Sequence, residues 1–104
     1  MSLFGFLFGG GDASARIEGS RARSLVSEGA SLLDVRTAAE YRSGHVDGAI
    51  NIPVGEIDRV KGVINPGAAV IVYCRSGARS ARAASRMKGL GYDDVHDLGS
   101  IANW

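Results

Sequence analysis

Residues 68–80 read AAVIVYCRSGARS, and residues 81–87 continue as ARAASRM. The apolar run over 68–73 predicts a buried strand, and the Ala- and Arg-rich run after the loop predicts a helix. The rest of the chain alternates between short apolar runs and helix-like segments in the same way. We therefore predict an α/β fold with a mostly parallel central sheet that is flanked by helices on both faces.

The remaining elements follow from turn and cap signals on either side of this stretch. Ser20 can begin a first helix that Gly29 stops, and Pro53 ends a short strand. Thr37 and Glu40 predict a capping box at the start of a short helix, because each side chain can accept from a backbone N–H near the other. The other predicted elements are strands near 15–17, over 31–35, over 49–52, over 68–73 and over 95–98, and helices over 20–28, over 54–60 and from the loop to about residue 90.

Cys74 is the only cysteine of the chain, and it lies where the central strand is predicted to end. The loop and the first turn of the next helix aim several backbone N–H groups at such a position. These donors, together with the guanidinium groups of Arg75 and Arg79, are expected to lower the pKa of the thiol. We interpret Cys74 as a nucleophile, and the alternative is a small buried core residue at the end of a strand.

The length of the loop after Cys74 discriminates between two kinds of thiolate chemistry. Cys74 and Arg79 form a C-x4-R pattern, whereas cysteine phosphatases use C-x5-R. A phosphoryl group needs a cradle that is wide enough for its equatorial oxygens. A shorter loop suits one added sulfur atom, because the same N–H groups can meet the negative charge of a persulfide. The pattern therefore favours sulfur transfer over phosphoryl transfer.

Three segments carry longer motifs. Residues 32–53 read LLDVRTAAEYRSGHVDGAINIP, residues 72–80 read VYCRSGARS, and residues 98–104 read LGSIANW. In that order, they are similar to the amino-terminal signature, the active loop and the end of the fold of the single-domain rhodanese (thiosulfate sulfurtransferase) family. The resemblance spans about residues 16–104 and implies a small rhodanese-like domain.

The resemblance implies a two-step sulfur transfer. Cys74 would take a sulfane sulfur from a donor such as thiosulfate, become a persulfide, and pass the sulfur to cyanide or a cellular thiol. In the family, basic residues at the positions of Arg75 and Arg79 go with thiosulfate as donor, and guanidinium groups bind oxyanions well. Arg79 is the better candidate for binding the anion. For Arg75, an exposed position that faces solvent or an acceptor protein is an equally good expectation. The expected substrate-binding residues are Arg75, Ser76, Gly77, Ala78, Arg79 and Ser80.

Asp34 and Arg36 are expected close to Cys74, because parallel strands end at the same edge of a sheet and ligands bind there. Asp34 would pair with an active-loop arginine and hold it in place, which resembles the role of the family's acidic residue. Its alternative role is to cap the next helical turn. Arg36 is a candidate for the rim of the pocket. We do not pair Cys74 with His45, because the glycines around His45 predict a turn in which the imidazole bonds backbone groups.

Composition limits the other classes of function. The chain has 104 residues, enough for one domain, and its net charge of +1 gives no general field for nucleic acid or an anionic membrane. A single cysteine excludes an internal disulfide and a cysteine-rich metal site, so we expect no metal and no cofactor. A reducing, cytoplasmic location fits a lone thiol best. The expected partners are a small-molecule sulfur donor and acceptor, with a protein donor or acceptor as a second option.

Residues 1–14 contain the apolar run LFGFLF followed by GGG. This run is too short for a secretory signal or a membrane span, so we expect a flexible segment over 1–14 that precedes a rhodanese-like domain over 15–104. Two rival functions stay open. One is a persulfide carrier or regulatory binding module that serves a partner protein. The other is a small cysteine phosphatase or arsenate reductase, which the length of the loop disfavours.

Overall fold

The computed structural model describes residues 16–104, and the predicted segment over 1–14 lies outside the described residues. Within that range one sheet has the strand order β2-β1-β3-β4, and its three pairings are all parallel. Its strands are β1 (Ser31–Asp34), β2 (Ile50–Asn51), β3 (Val70–Cys74) and β4 (Val95–Ser100). The predicted α/β class with a parallel central sheet is therefore confirmed.

Helices cover both faces of this sheet. They are α1 (Gly19–Ser27), α2 (Ala38–Arg42) and α3 (Ala78–Gly89), and 3₁₀ segments run over Val54–Gly62 and Ile101–Asn103. The strand β3 is buried on both faces, because its alternate side chains enter two apolar clusters: Val70, Val72 and Cys74 with Ala83, Ala84 and Met87 of α3, and Ile71 and Tyr73 with Ala22 of α1. No helix within residues 16–104 is long and apolar enough to cross a bilayer.

The capping signals of the sequence were correct at two positions and wrong at a third. Thr37 and Glu40 form the full capping box at the start of α2, and Gly29 follows α1 with a φ of +109°. Ser20 does not cap α1, which begins at Gly19 after Glu18 without any side-chain cap. The chain at Gly19 passes against the backbone carbonyl of Asn103, where a side chain would not fit. This long-range contact fixes the start of the helix.

The segment predicted as a helix over 54–60 is a kinked 3₁₀ segment instead. It runs over Val54–Gly62, and the φ of −117° and ψ of 20° at Glu56 interrupt the helical backbone. Ile57 and Val60 are nevertheless buried against the same apolar cluster as β3. The sequence predicted a helical segment at this position but not its 3₁₀ type or its kink.

Candidate active site

Cys74 is the last residue of β3, and α3 begins at Ala78. Gly77, the residue just before the helix, has a φ of +108°, which glycine adopts at little cost because it has no Cβ. Its N–H donates to Sγ of Cys74 at a distance of 2.9 Å. The sulfur therefore lies among backbone donors at the positive end of the α3 dipole.

The surroundings of Cys74 favour its thiolate. Burial is the largest single influence and raises the pKa, but the backbone N–H and hydroxyl of Ser80 and the N–H groups of Gly77 and Ser76 act against it, and the pKa of Cys74 is lowered. Arg79 is not among the largest influences on this pKa. The charge of Cys74 does contribute to the raised pKa of Arg79, so the arginine acts on the sulfur through space, but the hydrogen-bond donors of the loop and of the first turn of α3 lower the pKa of Cys74 more.

The other predicted loop residues divide into an exposed and a buried group. Arg75, Ser76 and Ala78 are exposed, whereas Gly77 and Ser80 are buried. The Ser80 hydroxyl has one hydrogen, and the carbonyl oxygen of Gly77, 3.0 Å from Oγ, competes with the sulfur of Cys74 as its acceptor. Of the predicted loop residues, Arg75, Ser76 and Ala78 are therefore accessible from solvent, whereas Gly77 and Ser80 lie against Cys74.

Arg79 is held by Glu40 through two parallel hydrogen bonds. Nη1 donates to Oε1 at 2.7 Å and Nη2 donates to Oε2 at 3.0 Å. The guanidinium of Arg79, with smaller effects from Thr37, lowers the pKa of Glu40 to about 2. From the sequence, Glu40 was assigned only to the capping box. Its pairing with Arg79, which lies 39 residues away, was not predicted.

The prediction that Asp34 pairs with an active-loop arginine is wrong. Asp34 is fully buried, and its carboxylate accepts from Nε of Arg36 at 3.1 and 3.0 Å and from Nη2 at 2.7 Å. Arg36 is only two residues away in the sequence, and its guanidinium takes the place at the carboxylate that was predicted for an arginine of the loop. Arg36 itself is 7% exposed and also donates to the carbonyl of Gly44 at 2.6 Å. The pair anchors the backbone after β1 beneath the site.

His45 makes the contacts expected of a structural histidine. Its Nδ1 lies 2.8 Å from the carbonyl oxygen of Tyr41, and its ring stacks on the Tyr41 ring at 3.7 Å between centroids. Tyr41 packs against the core and donates to the carbonyl of Ala49 at 2.6 Å. The imidazole therefore serves the turn after α2.

Comparison with known proteins gives the same family from sequence and from structure. Thiosulfate sulfurtransferase 18 of Arabidopsis thaliana is 33% identical over 97 residues, which cover 80% of this chain and 71% of that protein. The putative sulfur carrier protein YrkF of Bacillus subtilis is 37% identical over 68 residues, which cover 65% of this chain and 37% of that protein. A rhodanese with anions from E. coli has a TM-score of 0.66 and 34% identity, covering 71% of this chain and 89% of that one.

The family model of the rhodanese-like domain matches residues 18–104, which include the sheet, α3 and the whole loop around Cys74. Relatives with names of sulfurtransferases and of a sulfur carrier agree with a general role in sulfur transfer. The chain therefore belongs to the rhodanese-like domain family.

Proposed function

We propose that this protein is a thiosulfate sulfurtransferase in which Cys74 carries the sulfur as a persulfide. The Cys74 thiolate attacks the outer sulfur of thiosulfate, the sulfur–sulfur bond of the donor breaks, and sulfite leaves with the electron pair. An acceptor thiolate or cyanide then attacks the outer sulfur of the persulfide, and the Cys74 thiolate is released. No external oxidant or reductant is needed, because each attack displaces one leaving group.

The observation that carries this proposal is the buried sulfur of Cys74 among the backbone donors of the loop and the first turn of α3. The Gly77 N–H lies 2.9 Å from the sulfur, and the side chain of Cys74 has no exposed surface. A donor therefore reaches the sulfur only when part of the surrounding structure moves aside, which favours a small reacting end. The outer atom of thiosulfate is a single sulfur, and the N–H groups that stabilise the thiolate would also stabilise a terminal persulfide anion.

The cation that suits the other end of the donor is Arg79. A guanidinium has five N–H donors, and Glu40 takes one from each terminal nitrogen of Arg79. The Arg79 side chain is 30% exposed, so its remaining donors are accessible to a sulfonate group. Glu40 keeps the guanidinium plane of Arg79 fixed when the donor binds. Less conformational freedom of the Arg79 side chain is therefore lost on binding.

The test is the formation of thiocyanate from thiosulfate and cyanide. Wild-type protein is expected to turn over, and Cys74→Ser is expected to lose the activity entirely because its hydroxyl cannot form a persulfide. Arg79→Lys keeps the charge but not the planar fork, and we expect it to raise KM for thiosulfate by about tenfold. Activity retained by Cys74→Ser would refute the proposal.

A persulfide carrier that receives sulfur from a protein donor is the second candidate. The relative named as a putative sulfur carrier favours it. A carrier would acquire persulfide on Cys74 from a cysteine-desulfurase system but turn over thiosulfate slowly. An enzyme acting on thiosulfate would be loaded quickly by the small molecule alone.

A further inference from the structure

The side chain of Arg16 lies between β4 and the active loop. Its backbone is fixed beside β4 by a parallel bridge to Asp97, and the N–H of Ile17 donates to the Asp97 carbonyl at 2.9 Å. Nε of Arg16 lies 3.3 Å from Oδ2 of Asp97, whose side chain is only 6% exposed. The other oxygen, Oδ1, accepts from the N–H of Gly99 at 2.8 Å. A buried carboxylate therefore pairs with the guanidinium of Arg16, whose own side chain is 54% exposed.

The guanidinium packs against two glycines that both have positive φ angles. A Cβ at Gly99, where φ is +80°, would lie 2.5 Å from Nη1 and 2.9 Å from Cζ of Arg16. A Cβ at Gly77, where φ is +108°, would lie 3.3 Å from Nη2. The planar group thus occupies the space that a Cβ on Gly99 would take and lies close against Gly77, so it contacts both β4 and the active loop.

Gly77 connects this contact to the sulfur. Its N–H is a donor to Sγ of Cys74 at 2.9 Å, and its backbone has a φ of +108° directly after this donor, where the chain enters α3. On the other side of the contact, Gly99 is paired with Tyr73 and Ser100 with Cys74 in the sheet. Arg16 therefore rests on the two backbone segments whose relative position defines the cradle.

We propose that Arg16 is a positioning residue for Cys74: its guanidinium, anchored by Asp97, holds Gly77 in the orientation in which the Gly77 N–H meets the sulfur. The inference rests on the proposed role of Cys74 as the nucleophile. Arg16 lies outside the three motif segments of the sequence, and the fold brings it to the loop from the amino-terminal side of α1.

The test separates the planar contact from charge and from stability. Arg16→Ala removes the guanidinium, and Arg16→Lys keeps a cation for Asp97 but cannot lie flat across Gly77 and Gly99. Arg21→Ala, which truncates an exposed arginine on α1, is the matched control. The readout is the rate of alkylation of Cys74 by iodoacetamide from about pH 5 to about pH 9, across the titration range of thiols. This readout requires no sulfur donor.

We expect both Arg16 variants to react about fivefold more slowly at neutral pH, with the inflection of the profile moved to higher pH, because the sulfur loses a well-placed donor. In thiocyanate assays, kcat should fall by about tenfold with little change in KM, since Arg16 acts through Gly77 rather than on the donor. Arg21→Ala should match the wild type in both assays.

Three results would overturn the inference. The first is an alkylation profile like that of the wild type in both Arg16 variants, and the second is an alkylation rate in Arg16→Lys equal to that of the wild type. The third is a thiocyanate assay in which only KM changes. If Arg16→Ala does not fold, the comparison uses Arg16→Lys and the wild type only. Thermal unfolding of Arg16→Lys then checks that this variant is folded under the conditions of the assay. Absence of thiocyanate formation by the wild-type protein, with the alkylation difference intact, would refute the proposed function and leave the positioning role standing.

Discussion

Arg79 of the active loop and Glu40 of α2 form a bidentate ion pair across 39 residues of sequence. The pKa of Glu40 is lowered to about 2, so the carboxylate stays charged at every pH at which the thiol reacts. The same carboxylate accepts from the N–H of Thr37 at 2.9 Å within the capping box. The start of α2 and the orientation of the loop arginine are therefore one connected structure.

Glu40→Gln tests whether this pair orients Arg79 for catalysis. Glutamine can keep the capping box but cannot hold the guanidinium as an anion does, so we expect kcat/KM for thiosulfate to fall by about tenfold. The matched control is Asp58→Asn, which breaks a similarly bidentate pair between Asp58 and Arg86. Arg86 lies on α3, as Arg79 does. The control should retain activity, and equal losses in the two variants would contradict a specific role for Glu40.

The pH dependence follows from the lowered pKa of Cys74. Above its pKa the thiol is ionised, so the alkylation rate should rise with pH and level off below the pH at which an ordinary cysteine does. Ser80→Ala removes the hydroxyl that stabilises the thiolate, and its inflection should move to higher pH. The measurement is the rate of Cys74 alkylation against pH, and Ser76→Ala, which leaves the backbone N–H in place, is the control. An identical inflection in Ser80→Ala and wild type would be inconsistent with the assigned cause.

His45→Ala tests whether the reaction uses a histidine base. A general base contributes about a hundredfold or more, whereas His45 bonds a backbone carbonyl and stacks on Tyr41. We expect sulfur transfer within about twofold of wild type and an unchanged pH profile, because loss of a surface contact changes little beyond local stability. Steady-state assays over a range of pH, with His96→Ala as the second histidine variant, make the comparison. A hundredfold loss in His45→Ala alone would reinstate a Cys–His pair.

The central strand, the loop and the cysteine were all predictable because their signals are local. An apolar run, a glycine and a helix-forming run lie next to one another around Cys74, and the capping box of Thr37 and Glu40 spans only four residues. Local signals of this kind depend on backbone geometry that the neighbouring residues determine themselves.

The partners of the charged side chains were not predictable in the same way. Asp34 lies at the end of a strand close to the active loop, but its carboxylate pairs with Arg36. Arg79 pairs with Glu40 instead. The Arg79–Glu40 pair joins residues 39 positions apart, which sequence spacing does not show. The Asp34–Arg36 pair is local, and it was missed because an arginine of the active loop was expected as the partner of Asp34. The contact of Arg16 with Gly77 forms because the segment before α1 runs beside β4 in the folded protein. It was missed because sequence spacing does not show contacts between distant segments.

The length of the loop predicts which substrate the cradle accepts. Inserting one glycine between Ser76 and Gly77 converts C-x4-R to C-x5-R, and we expect thiosulfate turnover to fall and hydrolysis of an aryl phosphate to appear. The same insertion after Gly67, in the turn before β3, controls for general damage. Full thiosulfate turnover by the loop variant, without gain on p-nitrophenyl phosphate, would count against the argument from loop size.

The most direct test of persulfide chemistry at Cys74 is the intact mass of the protein. The wild type should gain one sulfur, about 32 Da, after incubation with thiosulfate, and cyanide should remove it. Cys74→Ser, treated identically, should show no gain at any step. A wild-type mass that thiosulfate leaves unchanged, or an equal gain in the serine variant, would contradict the account.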